Sequence, residues 1–307
     1  MAKNLLFIAD EWHILDVEIE TTLIMGVYAQ KHGFTCYWAT PDMITADNHG
    51  VYAEELYILN KGCTKLLKTK ETLNLEEVHS IHWRKDPPVT LAHMRLWSLL
   101  HNSLRNVVFL NPPSALLKWN EKYACFKYRE WCLDTFVADK DALFQKRMGQ
   151  WFQTNNRLIA KPSADAASRG VRFVKNPKQL HFKKLGEYPL LQKYEPRVLD
   201  GETRFLTVGE KILAVIEKKP NPKFPIIEWE DKKRRPTMRE IKPTAVQLAR
   251  AKKVLKDLTR DGVVFATIDF IGDRLLEINI TSPGTLHALT EKTKLAVLKA
   301  YFKATGK

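Results

Sequence analysis

The sequence predicts a fold of mixed class, α/β in its first third and α+β beyond, in three units spanning residues 1–117, 118–195 and 196–307. Three observations lead there. Short β-like runs alternate with helical patterns up to Pro113, the stretch after Lys118 mixes small strands with helices, and the last third closes on two strand-like runs joined by a turn. A chain of 307 residues with 45% hydrophobic composition can bury more than one core.

Leu5 to Ala9 is an apolar run that stops at Asp10-Glu11, so it reads as a buried first strand. It is too short for a signal-sequence core or a membrane span, and cytoplasmic residence is the expectation. Glu18 to His32 carries Ile19, Leu23, Ile24, Val27 and Tyr28 at helical spacing and ends at Gly33, after which Thr35 to Ala39 returns as a strand and completes a βαβ unit. Val78 to Trp83, a helix from Leu91 to Leu104, and Val107 to Leu110 extend the layer, and Asn111-Pro112-Pro113 ends it.

In the second unit helices are predicted at Glu121 to Cys132 and Asp141 to Phe152, with strands at Leu158 to Ala160, Val171 to Val174 and Leu190 to Tyr194. The third unit has strands at Arg204 to Val208 and Ile212 to Glu217, then an irregular Pro-rich stretch from Lys219 to Pro243. A helix from Thr244 to Thr259, a hairpin and a closing helix from Thr285 to Phe302 follow.

The hairpin is where chemistry is written most densely. Glu277 and Asn279 alternate with Leu276, Ile278 and Ile280, so in a strand they share a face while the aliphatic residues face a core. Whether Asp269 joins them depends on the loop: two residues pair it with Leu276 and turn it away, whereas three with a glycine or bulge pair it with Glu277. The odd loop is the expectation. Together Asp269, Glu277 and Asn279 would hold magnesium, which takes few protein oxygens and completes its shell with water and nucleotide phosphates. Read alone, the stretch fits a surface hairpin with one wet face equally well.

A formal net charge of +14 calls for an anionic partner or a basic solvated surface, and charge by itself does not choose between them. Lys232-Lys233-Arg234-Arg235 is the densest basic run; with few aromatics interleaved it reads as a solvated loop rather than a nucleic-acid groove. Cys36, Cys63, Cys125 and Cys132 show no CxxC and no zinc spacing, which fits reduced thiols without assigned chemistry.

Other polar groups stand at element ends. Arg84-Lys-Asp-Pro-Pro88 follows an apolar run, at the strand edge where open α/β sheets take ligands. Asn120-Glu-Lys122 opens a predicted helix with Asn120 as cap and a lysine in its first turn, against the dipole's preference. Lys161-Pro162 ends a strand before the small-residue loop Ser163 to Gly170, and Gln192 to Glu195 forms a strand-to-coil edge that could hydrogen-bond a base. Gly201-Glu-Thr-Arg204 opens the next strand. None of these is decisive singly.

In this order, Arg84-Lys-Asp-Pro-Pro88, Asn120-Glu-Lys122, Lys161-Pro162, Gln192-x-Tyr194, Gly201-x-x-Arg204 and Asp269-x-x-Gly-Asp-Arg-Leu-x-Glu277-Ile-Asn279-x-Thr-Ser-Pro283 resemble the bacterial glutathione synthetases of the ATP-grasp superfamily, over nearly the whole chain. The resemblance implies an ATP-grasp fold: an N-terminal α/β substrate domain, a small lid, and a C-terminal antiparallel-sheet domain carrying the metal site. It also implies ATP and Mg2+ (or Mn2+) as cofactors and a homo-oligomer. Carried over, Lys122 and Lys161 would contact phosphates, Gln192, Lys193, Tyr194 and Glu195 would line the adenine edge, and Glu202 would approach the ribose. Arg204 and Lys218 would serve the reacting phosphoryl group, Asp269, Glu277 and Asn279 the metal, and Arg84 and Ser282 the carboxylate or peptide substrate.

The reaction so implied is amide formation through an acyl phosphate, from γ-glutamylcysteine, glycine and ATP, and it asks for positioning and charge neutralisation rather than a side-chain nucleophile. The chain departs from the family at three places. The lid loop from Ala164 to Arg169 has no glycine before Gly170, the stretch from Asn221 to Glu240 has none where the family has a glycine- and arginine-rich loop, and Lys218 replaces an arginine. A different peptide or amino-acid substrate is therefore a serious variant. Two other classes compete: a regulatory protein that holds ATP without turnover, and a basic nucleic-acid binder, which the acids at Asp269 and Glu277 oppose unless a metal intervenes.

Overall fold

The computed structural model describes residues 3–154, 157–165, 168–176, 180–227, 229 and 231–306. Ala166 and Ala167 of the small-residue loop and two positions of the Asn221 to Glu240 stretch, 228 and 230, lie outside the described residues.

The first unit opens with β1 (Lys3–Ala9), α1 (Thr21–Lys31) and β2 (Phe34–Ala39), the predicted βαβ. Five short strands follow that the sequence pattern did not announce: β3 (Ile44–Ala46), β4 (Val51–Ala53), β5 (Tyr57–Leu59), β6 (Leu66–Lys68) and β7 (Leu73–Asn74). At two or three residues each they are too short for alternation to show. β8 (Ser80–Arg84), α2 (Leu91–Ser103), β9 (Val108–Leu110) and α3 (Pro113–Lys118) complete the layer. The main sheet runs β6-β5-β2-β1-β8-β9 and is parallel across β2, β1, β8 and β9. All five residues of β8 are buried, which brings Arg84 to the sheet's C-terminal edge.

The predicted helix from Glu121 to Cys132 is instead a set of turns around a 3-10 segment, Ala124–Tyr128. Its backbone groups find partners in another element: Leu275 N–H donates to Trp131, Leu133 N–H to Leu275, and Ile278 N–H to the Glu121 carbonyl. Apolar periodicity suggested i to i+4 bonding, but docking on a strand satisfies the same groups. The small sheet then forms from β10 (Thr135–Val137), β11 (Leu158–Lys161), β12 (Arg172–Val174) and β13 (Leu190–Lys193), in order β10-β13-β11-β12, with α4 (Asp141–Thr154) against it.

The third unit is an antiparallel sheet ordered β16-β15-β14-β17-β18: β14 (Glu202–Val208), β15 (Lys211–Lys219), β16 (Thr237–Glu240), β17 (Phe265–Ile271) and β18 (Arg274–Asn279). β16 lies within the stretch expected to be irregular, paired only at the sheet's edge, where a single partner strand suffices. α5 (Ala245–Arg260) is capped by Thr244 and Gln247 reciprocally. α6 (Glu291–Ala304) begins later than predicted because Thr290 accepts from Thr293 N–H as its N-cap, after a separate 3-10 turn at Leu286–Ala288.

All seven residues of β17 are buried. One apolar cluster joins Leu6, Ile8 and Trp83 of the first sheet through Trp119, Tyr128 and Trp131 to Phe205, Ile268 and Phe270 of the third. Each such fully buried large side chain is worth roughly 1.5–3 kcal/mol of transfer free energy.

Candidate active site

The β17–β18 turn is a two-residue loop, with Ile271 paired to Arg274 around Gly272-Asp273. This corrects the odd-loop expectation. The odd residue sits inside the strand: Phe270 pairs with Leu275 but Asp269 pairs with Glu277, so Leu276 bulges out and shifts the register by one. Asp269 and Glu277 therefore do face the same side, with Thr267 opposite Asn279 one step along. Gly272 has a φ of 55°, and a Cβ there would come within 2.6 Å of the Arg197 guanidinium, so the tight turn requires glycine.

Between the small sheet and the third sheet lies a cleft with a cavity of about 290 Å³, closed on one side by the C-terminal edge of the first sheet. Lys122, Lys161, Glu202, Arg204, Lys218, Glu277, Asn279, Arg84 and Ser282 all line it, and so do Gln192 to Glu195. Asp269 does not. Its carboxylate is fully buried beneath two cations: Arg204 donates from Nε at 2.8 Å and from its terminal nitrogen at 2.6 Å, and Lys218 Nζ donates at 3.1 Å. Lys218 also pairs with Glu202 at 2.6 Å, its neighbour in strand register. Burial alone would raise the Asp269 pKa, but Arg204 and Lys218 outweigh it and hold the carboxyl down to about 2.

Cross-strand neighbours thus build a four-membered network of Glu202, Lys218, Asp269 and Arg204. Glu277 lies outside it, and among the described residues its side chain hydrogen-bonds only with Asn279, whose Nδ2 is 3.4 Å from Glu277 Oε1. Two carboxylates and an amide oxygen on adjacent strands are a hard-cation donor set that suits magnesium, provided the cations over Asp269 release one of its oxygens. Among the described residues no group of three or more histidine, cysteine, aspartate or glutamate side chains is placed to hold a metal ion, and this set has two carboxylates completed by an amide. The Thr267 hydroxyl, buried in the cleft wall beside Asn279, has no hydrogen-bond partner among the described residues. It is a further oxygen at the same place, and the two-residue step from Asp269 could have revealed it.

Two cations in the cleft lack a counter-ion. Lys161 makes no ion pair or hydrogen bond among the described residues, and burial lowers its pKa against the pull of Glu277 and Glu202. Arg84, only 4% exposed, donates to Thr22 Oγ1 at 3.1 Å and to the Pro283 carbonyl at 2.8 Å and pairs with no carboxylate among the described residues. A buried cation without an anion is costly, so each position is built for an anionic ligand. Lys122 reaches the Asp165 carbonyl of the small-residue loop, which Val89 N–H also holds by donating to Ala164 at 3.2 Å. Gly170 ends that loop with a φ of 69°, and a Cβ on it would meet Pro162 at 2.6 Å.

At the opposite end, Ile159 of the small sheet and Ile271 and Leu276 of the third frame a slot with Leu133 and Val198. The side chains of its predicted hydrogen-bonding edge are otherwise engaged: Gln192 with Thr135 at 2.9 Å, Lys193 with Asp134 at 2.9 Å, and Glu195 bidentate with Arg197. Tyr194 donates its N–H to Arg157 and sets its ring edge-on to Phe173. The basic run expected to be solvated is partly docked, with Arg235 on Asp16 at 2.5 Å and Lys232 near Glu18.

Sequence reasoning also missed Glu121. Its Oε1 accepts from the N–H groups of Ile280 at 3.1 Å and Thr281 at 2.9 Å, fixing the strand just past Asn279 and before Ser282. Burial raises its pKa against those bonds. The motif Asn120-Glu-Lys122 contained it, but attention to Lys122 hid the acid between.

Residues 4–116 match the family model described as the N-terminal domain of prokaryotic glutathione synthetase, and residues 121–294 match that family's ATP-grasp domain. Glutathione synthetase of Wigglesworthia glossinidia brevipalpis is 25% identical over 305 residues, 94% of this chain and 93% of that one. That of Parasynechococcus marenigrum is 28% identical over 295 residues, 91% of each. Among solved structures, D-cycloserine synthetase DcsG aligns with a TM-score of 0.69 at 15% identity, covering 98% of this chain and 99% of that one. D-alanyl-alanine synthetase A from Vibrio cholerae aligns with 0.61 at 13%, covering 99% and 100%. At those identities the likeness is one of fold.

Proposed function

This chain belongs to the prokaryotic glutathione synthetase family and is an ATP-dependent ligase that joins a carboxylate to an amine in an amide bond, and from that premise we propose how its residues divide the work. The observation that carries the proposal is Lys161, a cation in the cleft wall without an anion of its own, facing Glu277 and Glu202. Lys161 and Lys122 bind the ATP phosphates, the aliphatic slot between Ile159 and Leu276 takes the base, and the edge from Gln192 to Glu195 bounds it. Glu202 bounds the ribose side.

Phosphoryl transfer depends on neutralising spread negative charge and on positioning. Arg204 and Lys218 are already held in place by Asp269 and Glu202, so they meet the transferring group with little reorganisation. Magnesium, held by Asp269, Glu277 and Asn279, would supply further charge neutralisation at the phosphates. Arg84 and Ser282 orient the substrates, the serine hydroxyl being tied to the Arg84 carbonyl at 3.3 Å. The substrate carboxylate takes the γ-phosphoryl group as an acyl phosphate, and the amine then forms the C–N bond as phosphate leaves.

The donor we propose is a peptide carboxylate of the γ-glutamylcysteine kind. Purified protein with ATP, magnesium and γ-glutamylcysteine is expected to release phosphate only when an amino acid is added. Release independent of any amine would overturn the amide-forming step, and none across a panel of amino acids would favour a protein that holds ATP without turnover.

A further inference from the structure

The stretch from Asn221 to Glu240 contains no glycine, and those of its described residues that reach the cleft are apolar. Ile226, Ile227 and Trp229 line the cavity wall there. Ile227 is 5% exposed yet belongs to none of the apolar clusters among the described residues, so its side chain is spent on the cleft rather than on a core. Trp229 is positioned from two sides: its ring stands edge-on to His287 at 6.2 Å, and its carbonyl accepts from Arg235 Nε at 2.6 Å while Arg235 holds Asp16 of the first unit. The wall is thereby fastened beside the entrance to α1.

The same end of the cavity carries charges of both signs. Arg84 offers a guanidinium without a carboxylate partner, and Glu20 and Asp86 offer acids. Asp86 lines the cleft, and its pKa is raised to about 6, first by desolvation among the cleft walls and then by Glu20 nearby. A cation set between the two acids would relieve that repulsion. A cation site, an anion site and an apolar wall together are the features needed to recognise an α-amino acid with a large side chain.

We infer that the amine substrate of this ligase is an α-amino acid with a bulky apolar side chain, its carboxylate on Arg84, its amino group beside Glu20 and Asp86, and its side chain against Ile226, Ile227 and Trp229. The inference rests on the ligase reading above and narrows it: the apolar wall stands where glycine would leave empty space.

Binding is measured by calorimetry on the full chain with magnesium and a non-hydrolysable ATP analogue, using glycine, leucine and phenylalanine as probes. Leucine or phenylalanine is expected to bind about 10-fold or more tightly than glycine, the discrimination a hydrophobic pocket gives for several carbons. Ile227→Asp is expected to abolish that preference while still binding the ATP analogue, which shows that the variant is folded. Trp229→Ala is expected to weaken phenylalanine at least about 5-fold. Glycine binding as tightly as leucine and phenylalanine, or a preference that survives Ile227→Asp, overturns the inference. Amine-dependent phosphate release with glycine favoured leaves the ligase reading standing and removes only this one. Binding of the bulky amino acids with no phosphate release from ATP overturns the ligase reading, and their role as amine substrate with it, while leaving the apolar wall as their binding site.

Discussion

Arg204 grips the buried carboxylate of Asp269 with two hydrogen bonds, at 2.8 and 2.6 Å, across neighbouring strands. In the proposed mechanism this gives Asp269 two tasks, since a carboxylate oxygen that would bind a metal is already held by Arg204 and Lys218. Arg204 is kept charged because, although burial disfavours its charge, Asp269 more than compensates.

Asp269→Asn removes the partner of two buried cations and, on the proposed mechanism, a ligand of the metal as well. Loss of one member of a buried charged network costs about 3–5 kcal/mol. Thermal unfolding is expected to show a lowered melting temperature, and magnesium titration of phosphate release a loss of at least about 100-fold in activity.

Acid pH reports on the same carboxylate. The folded pKa of Asp269, about 2, lies below its ordinary value of 3.8, so the unfolded chain binds the proton more readily. Its contribution is complete above the ordinary value and drains away as pH falls from there toward about 2. In urea unfolding between pH 5 and about 2, the stability gap between the native protein and Asp269→Asn is expected to shrink as pH falls; a constant gap would refute the assignment.

Lys161→Met separates ligand binding from stability. Burial lowers this lysine's pKa, so its charge opposes folding where it is protonated, and the folded state gains when the charge is removed. The melting temperature without nucleotide is expected to stay the same or rise, while the KM for ATP rises about 10-fold or more. A fall in both stability and nucleotide affinity would mark the residue as structural.

Glu121→Ala leaves the N–H groups of Ile280 and Thr281 without their acceptor, at a cost of about 1–3 kcal/mol each if they remain buried. Because these groups fix the chain between Asn279 and Ser282, kcat is expected to fall with little change in KM for ATP. Glu121→Gln, which keeps an acceptor oxygen, is expected to restore most of it.

Several features could be read from local sequence because a local cause produces them. The βαβ opening, the helices α2, α4 and α5, and the shared face of Glu277 and Asn279 follow from periods of 3.6 and 2 that each segment carries within itself. The order of the polar motifs was enough to name the family, since phosphate, metal and substrate groups recur there at recognisable element ends.

Tertiary structure decided what depends on a partner distant in the chain. The bulge at Leu276, rather than the length of the turn, turns Asp269 toward Glu277, and such a register shift is set by pairing along the whole hairpin and by burial of β17 on both faces. The segment after Glu121 carries a helical pattern, yet it keeps only isolated turns and gives the backbone groups of Glu121, Trp131 and Leu133 to β18. Sequence alone named the charged residues expected to meet ATP. Only folding decided that Asp269 lies beneath Arg204 and Lys218, while Lys161 and Arg84 form no ion pair among the described residues, because charge pairing is settled by the contacts of strands far apart in the chain.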